Sequence, residues 1–528
     1  MLRRSFVLAC LWLPAALLFA QAENQGRFNI TGTVVNALSG APIRGALVRL
    51  QGTEMRSTMA DAGGHFEIDG LPSGVASVSA MRQGFDSRDR RQQEKQTQIK
   101  IGPGMDPLLV KLNPLARISG RIVDEDGEPI EAVNVQCFLE QMVNGYKQWR
   151  PVNITDSDEA GYFTIDDLAS GSYLLKTGQK RLYMVPPSRA EAARYIYPPV
   201  FYPNAATRDA AQRIEVSPGT DLKIDFALHS VRAARVSFVT IPAYDRVTAL
   251  MAMTGDEEGS GLAQQSGQKD PVSGAYVLSV VPPGSWRLIV RGRGSGRGHQ
   301  NHETPWGDLP VEVGRADIEN LQVPMAKLPD IQVLTTGTQV VTTGAEAYGS
   351  NSVQLVSPKG RMYAAIPAQN GEMWIRGVEP GSYRVRAGFG FYCFASIASE
   401  SRDLFHEELL VTPGSSPPPI QLVAGDNCAS LKLMPAANGN CTAACPPIDV
   451  VVTSNLTAFA PQVFGVSEAG YTLTGLHEGE YNIYAFDDAT DLEYANPEAL
   501  RSFKSQTVQF ASGQTATVQL GVNHRQAQ

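Results

Sequence analysis

Five stretches of the chain alternate apolar and polar residues with a period of two, and each is broken at the same place. They read "GGHFEIDGLPSGVASVSA" (63–80), "GYFTIDDLASGSYLLKT" (161–177), "GAYVLSVVPPGSWRLIV" (274–290), "GEMWIRGVEPGSYRVRA" (371–387) and "GYTLTGLHEGEYNIYA" (470–485). Period-two alternation predicts a strand with one face inward, and the glycine-bearing break predicts a turn. In the second copy, Tyr162–Ile165 and Tyr173–Lys176 read as the two strands of a hairpin, with Tyr173 and Leu175 on one face. Aligned on the glycine of the turn, the copies fall at Gly74, Gly171, Gly284, Gly381 and Gly479, in steps of 97, 113, 97 and 98 residues. That period is too long for a solenoid unit and suits complete small domains. A glycine is expected there because the turn requires a positive φ, which a Cβ disfavours.

Each unit continues in both directions. Upstream lie "ITGTVVNALSGAPIRGALVRLQG" (30–52) and "ISGRIVDEDGEPIEAVNVQCFLE" (118–140), each a strand, a polar Gly-Pro turn and a second strand. Downstream lie "QIKIGPGMDPLLVKL", "IEVSPGTDLKIDFAL", "LLVTPGSSPPPIQLV" and "VQFASGQTATVQLGV", which read as closing hairpins. About seven short strands per unit predict an all-β chain of five antiparallel β-sandwiches. The expected cuts give sandwiches at 23–114, 115–229, 230–328, 329–424 and 425–528, behind an export signal at 1–22. No Ser/Gly-rich linker separates them, so an elongated, semi-rigid array is expected. Helical patterning is sparse, and "SRAEAARYI" (188–196) is its best instance.

The pattern I-x-G-x-V, G-x-P-I-x-x-A-x-V, then D-x-x-G-x-F-x-I-x-x-L-P-x-G resembles the carboxypeptidase regulatory-like domain, a transthyretin-like or immunoglobulin-like β-sandwich. Its residues in the first unit are Gly32, Val34, Gly40, Pro42, Ala46, Val48, Asp61, Gly64, Phe66, Leu71, Pro72 and Gly74. In the second they are Gly120, Val123, Asp124, Gly127, Pro129, Val133, Gly161, Phe163, Leu168 and Gly171. The stretch "YPPVFYPNAATRDAAQRIEVSPGTDLKIDFAL" is similar to exported multi-domain proteins of the acidobacterial type. The resemblance implies modules that stabilise, space or dock rather than catalyse.

Composition narrows the class further. The 528 residues are 43% hydrophobic and 19% charged, enough to bury several cores, and the net charge of −8 lacks the basic face nucleic acid demands. Arg3 and Arg4, the apolar "SFVLACLWLPAALLF" and Ala20-Gln21-Ala22 form an export signal cleaved after Ala22. No later stretch is long and apolar enough to span a membrane. A periplasmic, cell-surface or extracellular protein is therefore expected, with cell-envelope proteins or glycans as partners. Five cysteines remain after cleavage, an odd number in a compartment that permits disulfides. Cys441–Cys445 within a loop and Cys393–Cys428 across a seam are the candidate pairs; Cys137 reads as a buried thiol.

Chemistry is sparse. The seven histidines form no H-E-x-x-H pattern, so no zinc peptidase site is read. His299-x-x-His302-Glu303 and "GRGSGRG" share a Gly- and Arg-rich loop that fits neither a metal site nor a phosphate cradle. "DEDGE" (124–128) and "DSDEAG" (156–161) lack the full calcium-ligand series and read as acidic turns. No catalytic residue, metal or cofactor is expected. The candidate ligand surface is Tyr195, Tyr197, Phe201 and Tyr202, crowded into eight residues among prolines. Exposed, those rings would stack on sugars; buried, they would cover sandwich 2 or its seam with a neighbour.

Overall fold

The computed structural model describes residues 27–52, 54–86, 98–181, 195–254, 268–270, 272–292, 305–336, 353–358, 360–368, 372–387, 393–412, 414–415, 417–425, 428–436 and 448–524. They form a multi-domain, all-β chain, and the four-residue Pro497–Leu500 is the one helix among them. The chain divides into two compact units: residues up to Arg82 with Thr97–Lys111, and Gln83–Gln96 with Leu112 onward.

The first unit is one sandwich. Phe28–Asn36 lies between His65–Leu71 and Leu108–Leu112 in one sheet. The other sheet runs Met55–Met59, Leu47–Gln51, Gly74–Met81, Gln98–Ile101. Alternate residues of its strands, Met55–Met59 aside, face inward: Ile30, Val34, Val48, Leu50, Phe66, Ile68, Val78 and Val110 are all buried. The alternation seen in the sequence is this inward face.

The same plan recurs in the second unit, with a correction to the hairpin reading. The strands flanking each repeated glycine pair with different partners, not with each other. In sandwich 2, Tyr162–Leu168 pairs with Ala116–Val123, whereas Gly171–Thr177 pairs with Asn134–Val143. The repeated turn is thus an arch that carries the chain from one sheet to the other. The segments read as closing hairpins cross in the same way: Ile214–Val216 joins Gly171–Thr177, and Asp221–Lys223 runs parallel to Ala116–Val123 in the opposite sheet. A parallel pair between first and late strands returns in sandwiches 3, 4 and 5, and Val522–Asn523 also runs parallel to Gly479–Phe486; most other pairs of the second unit are antiparallel. Alternation identifies a strand and its inward face; it is silent on the partner.

The arch glycines share one conformation. Their φ values are 154, 150, 148, 158 and 150° at Gly74, Gly171, Gly284, Gly381 and Gly479, a region that a Cβ makes costly. Four copies add a lock. The residue two positions on is Tyr173, Trp286, Tyr383 or Tyr481, and each donates to the carbonyl four residues earlier: Ala169 (2.7 Å), Pro282 (2.9 Å), Glu379 (2.7 Å) and His477 (3.1 Å). The geometry is akin to the tyrosine corner of other β-sandwiches. The first sandwich has Ala76 there instead.

Two details depart from five separate beads. Sandwich 4 is one nine-stranded sheet rolled over on itself, because Met362–Pro367 pairs with Gln354–Val356 through its first half and with Met373–Ile375 through its second. Its core then runs without a break into that of sandwich 5. Between sandwiches 2 and 3, Val231–Arg232, placed beyond the expected cut, pairs with Tyr195–Tyr197 ahead of it.

Candidate functional site

The aromatic segment of sandwich 2 is built from the inside out. Tyr195–Tyr197 lies between Lys180–Arg181 and Val231–Arg232 in a small sheet at the seam with sandwich 3. Ile196 packs there with Val231, Ala233 and Val280. Tyr197 turns into the core of sandwich 2, where burial, then Asp124, Glu125 and Asp126, push its phenol upward from its ordinary value. Phe201 is 1% exposed, beside Phe138 and beneath the ammonium of Lys176, which sits 5.1 Å from its ring centre. Tyr202 is half-buried and meets Phe226 edge-on at 5.7 Å. Only Tyr195, at 45%, is exposed.

The four rings therefore do not form the exposed row that sugar stacking requires. Phe201 covers the outer face of a sheet with Phe138 and Leu174, Tyr197 and Tyr202 pack on the inner core, and Tyr195 lies in the seam sheet. Tyr173, Leu174, Leu175, Lys176 and Thr177 are buried in succession because residues 198–212 lie over one side and the core over the other. Alternation vanishes in "YLLKT" for that reason, which was the available sign that this sheet is covered on both sides.

The acidic turns have a structural occupation. One carboxylate oxygen of Asp124 accepts from the amides of Asp126 and Glu128, and Asp158 does the same for Ala160 and Tyr162. Asp61 repeats the device in the first sandwich, for Gly63 and His65. These are Asx turns that close the D-x-x-G corner.

A shallow cleft of about 240 Å³ opens at one end of sandwich 2, lined by Arg117, Asp166, Asp167, Thr220 and Asp221 among others. Its charges are paired: the Arg117 guanidinium bonds Asp166 at 2.5 Å, and Asp221 accepts from Ser119. Its hydroxyl, Thr220, donates to the Ser217 carbonyl. The lining holds no histidine or cysteine that could pair with that hydroxyl for nucleophilic chemistry. Among the described residues, no three His, Cys, Asp or Glu side chains are grouped to hold a metal ion.

Cys137 is a free, buried thiol, pushed up to about 12 by desolvation. Cys428, which precedes the first strand of sandwich 5, is disulfide-bonded. The backbone of Cys393 pairs with Gly425, three residues before Cys428. Cys441, Cys445, the His299–Glu303 cluster and the export signal lie outside the described residues, as does most of the helical stretch at 188–196; its last two residues are in a strand.

Residues 29–103 match the model of the carboxypeptidase regulatory-like domain. No curated protein matches the chain. Among solved structures, the minor pilin of Streptococcus agalactiae is 12% identical, covering 39% of this chain and 96% of its own, with a TM-score of 0.23. The shaft pilin of Lactobacillus rhamnosus GG is 9% identical over 40% of this chain and 99% of its own, with a TM-score of 0.21. The major pilin subunit of Bacillus cereus is 10% identical over 57% and 99%, with a TM-score of 0.15. Likenesses this slight identify neither an assembly nor a partner for this chain.

Proposed function

We propose that this chain is an exported, non-enzymatic structural and interaction protein of the cell envelope, a series of β-sandwich modules that presents surfaces to protein partners. The observation that carries this reading is the joining of successive modules in the second unit. Sandwiches 4 and 5 share one hydrophobic core, and the amide of Ala458 and the hydroxyl of Thr457 donate to the Phe405 and His406 carbonyls across their seam. Between sandwiches 3 and 4, Arg291 bonds Glu379 at 2.6 Å, and Arg361 bonds the same carboxylate. Between 2 and 3 lies the apolar contact of Ile196 with Val280. Packed seams of this kind hold modules in register, which suits a scaffold. The repeated Asp, Tyr and Trp side chains serve turns and arches.

The test is the fate of the chain in the cell. N-terminal sequencing of protein recovered from envelope and culture fractions is expected to begin at Glu23. Recovery from the cytoplasm with the leader intact would end the proposal. Among the described residues no helix is long and apolar enough to cross a membrane.

A further inference from the structure

The hairpin of sandwich 2 is longer than its sandwich requires. Asn134–Val143 and Tyr146–Asp156 form ten ladder pairs, against five for Leu47–Gln51 and Met55–Met59 in the first sandwich. The third strand, Gly171–Thr177, pairs only with Val135 to Leu139. Beyond Leu139 the ribbon therefore runs on as two strands, which in water are marginal unless something packs on them. Its tip is a two-residue turn of type I′, with φ of 52° at Asn144 and 81° at Gly145. Such a tip normally faces water, yet Gly145 is buried.

What buries it is sandwich 5. The connection between Gly479–Phe486 and Gln506–Phe510 packs its own small core, with Ala489, Leu492 and Leu500 against Val451 and Phe486. Glu493, Tyr494 and Ala495 on this connection meet the tip. The Ala495 amide donates to the Gly145 carbonyl at 3.0 Å, and the Lys147 amide donates to Glu493 Oε1 at 3.2 Å. The fit is close: a Cβ on Gly145 would stand 2.5 Å from the Tyr494 ring and 2.8 Å from the Ala495 methyl. Sandwich 4 joins from the side. A Cβ on Gly360 would lie 3.0 Å from Gln148 Nε2.

Sandwiches 2 and 5 are separated by two whole sandwiches in the chain, so this contact closes a circuit. With it shut, no single seam between 2 and 5 can swing open alone. We propose that the Asn144–Gly145 tip, seated on Glu493–Ala495, is a latch that holds sandwiches 2 to 5 as one closed body and releases without unfolding either sandwich. The cores of both sandwiches are complete without the tip, and the contact includes two backbone-donated hydrogen bonds and the Tyr494 ring, a small patch beside those cores. Release would bare the Tyr494 ring and free the Gly145 carbonyl and the Lys147 amide at the tip.

The experiment measures the distance between genetically encoded spin labels at Gln141 and Arg501, both exposed, by pulsed electron resonance on the full mature chain. The native protein is expected to give one narrow, short distance. The double variant Glu493→Ala, Tyr494→Ala is expected to broaden it, while amide exchange in Gly171–Thr177 and Ile448–Ser454 stays as slow as before. A broad distribution in the native protein would overturn the closed body. A narrow one in the variant would overturn the role of these residues. Fast exchange in either strand of the variant would overturn release without unfolding.

Discussion

Removing one hydroxyl tests whether the arch is held by its ring-to-carbonyl bond. Tyr173 is fully buried, and its hydroxyl donates to the Ala169 carbonyl at 2.7 Å, with Ala169 itself 8% exposed. Tyr173→Phe keeps the ring and its packing, so no cavity forms. What is lost is a hydrogen bond with a net worth of about 1 kcal/mol. A nearly dry carbonyl is also left without its partner, and the two effects together cost about 1–3 kcal/mol. The readout should be local, because openings of a β-unit govern exchange of its own amides. At 1.4 kcal/mol per factor of ten, the slow amides of Gly171–Thr177 should exchange about 5- to 150-fold faster. Hydrogen–deuterium exchange mass spectrometry resolves this against a built-in reference, the Gly74–Met81 strand, where Ala76 occupies the equivalent position. A change below about twofold would refute the argument that the bond locks the arch. So would an equal acceleration in Gly74–Met81, which points to global rather than local loosening.

Gly74→Ala isolates the backbone cost, because no atom lies within 4 Å of the added Cβ. Strain at a φ of 154° should cost on the order of 1–3 kcal/mol, lowering the melting temperature of the isolated first sandwich by about 4–8 °C per kcal/mol; an unchanged melting temperature would show that the arch tolerates a side chain. Cys137 should ignore a disulfide reagent at pH 8 and react once urea is added. Burial raises its thiol from 9.0 to about 12, so the stability it contributes is complete below pH 9 and declines between pH 9 and 12, where the unfolded chain loses its proton first; native-state labelling would contradict this. Non-reducing peptide mapping should join Cys393 to Cys428, and Cys428→Ser should cost about 3–4 kcal/mol from the loop it reopens; a map joining Cys428 elsewhere would dismiss the pairing.

Much of the architecture was legible in the order of residues. Period-two alternation located the strands, and the recurring glycine announced a backbone conformation that a Cβ makes costly, which all five copies adopt. Asp61, Asp124 and Asp158, each three residues before a glycine, announced the corner turns they close. Two signals went unread: the aromatic two positions after the glycine in four copies, and Asn144-Gly145, the strongest short-range sign of a hairpin.

Other features had no local signature. An arch and a hairpin have the same alternation, because each strand must bury one face whether its neighbour lies beside it or across the core; only the assembled sheets decide which. The rings at 195–202 would look the same on a sugar platform and in a covered face, and packing set Phe201 against Phe138 and Tyr202 against Phe226, leaving Tyr195 alone exposed. The meeting of Gly145 with Tyr494 lies furthest from anything written in sequence. It joins residues about 350 positions apart whose types suit many neighbours, and it exists because three packed seams bring sandwich 5 back to the tip. Local sterics and side-chain period determined the strands, turns and inward faces of this protein. Strand partners, covered faces and the contact between distant modules were decided by packing, which depends on every module at once.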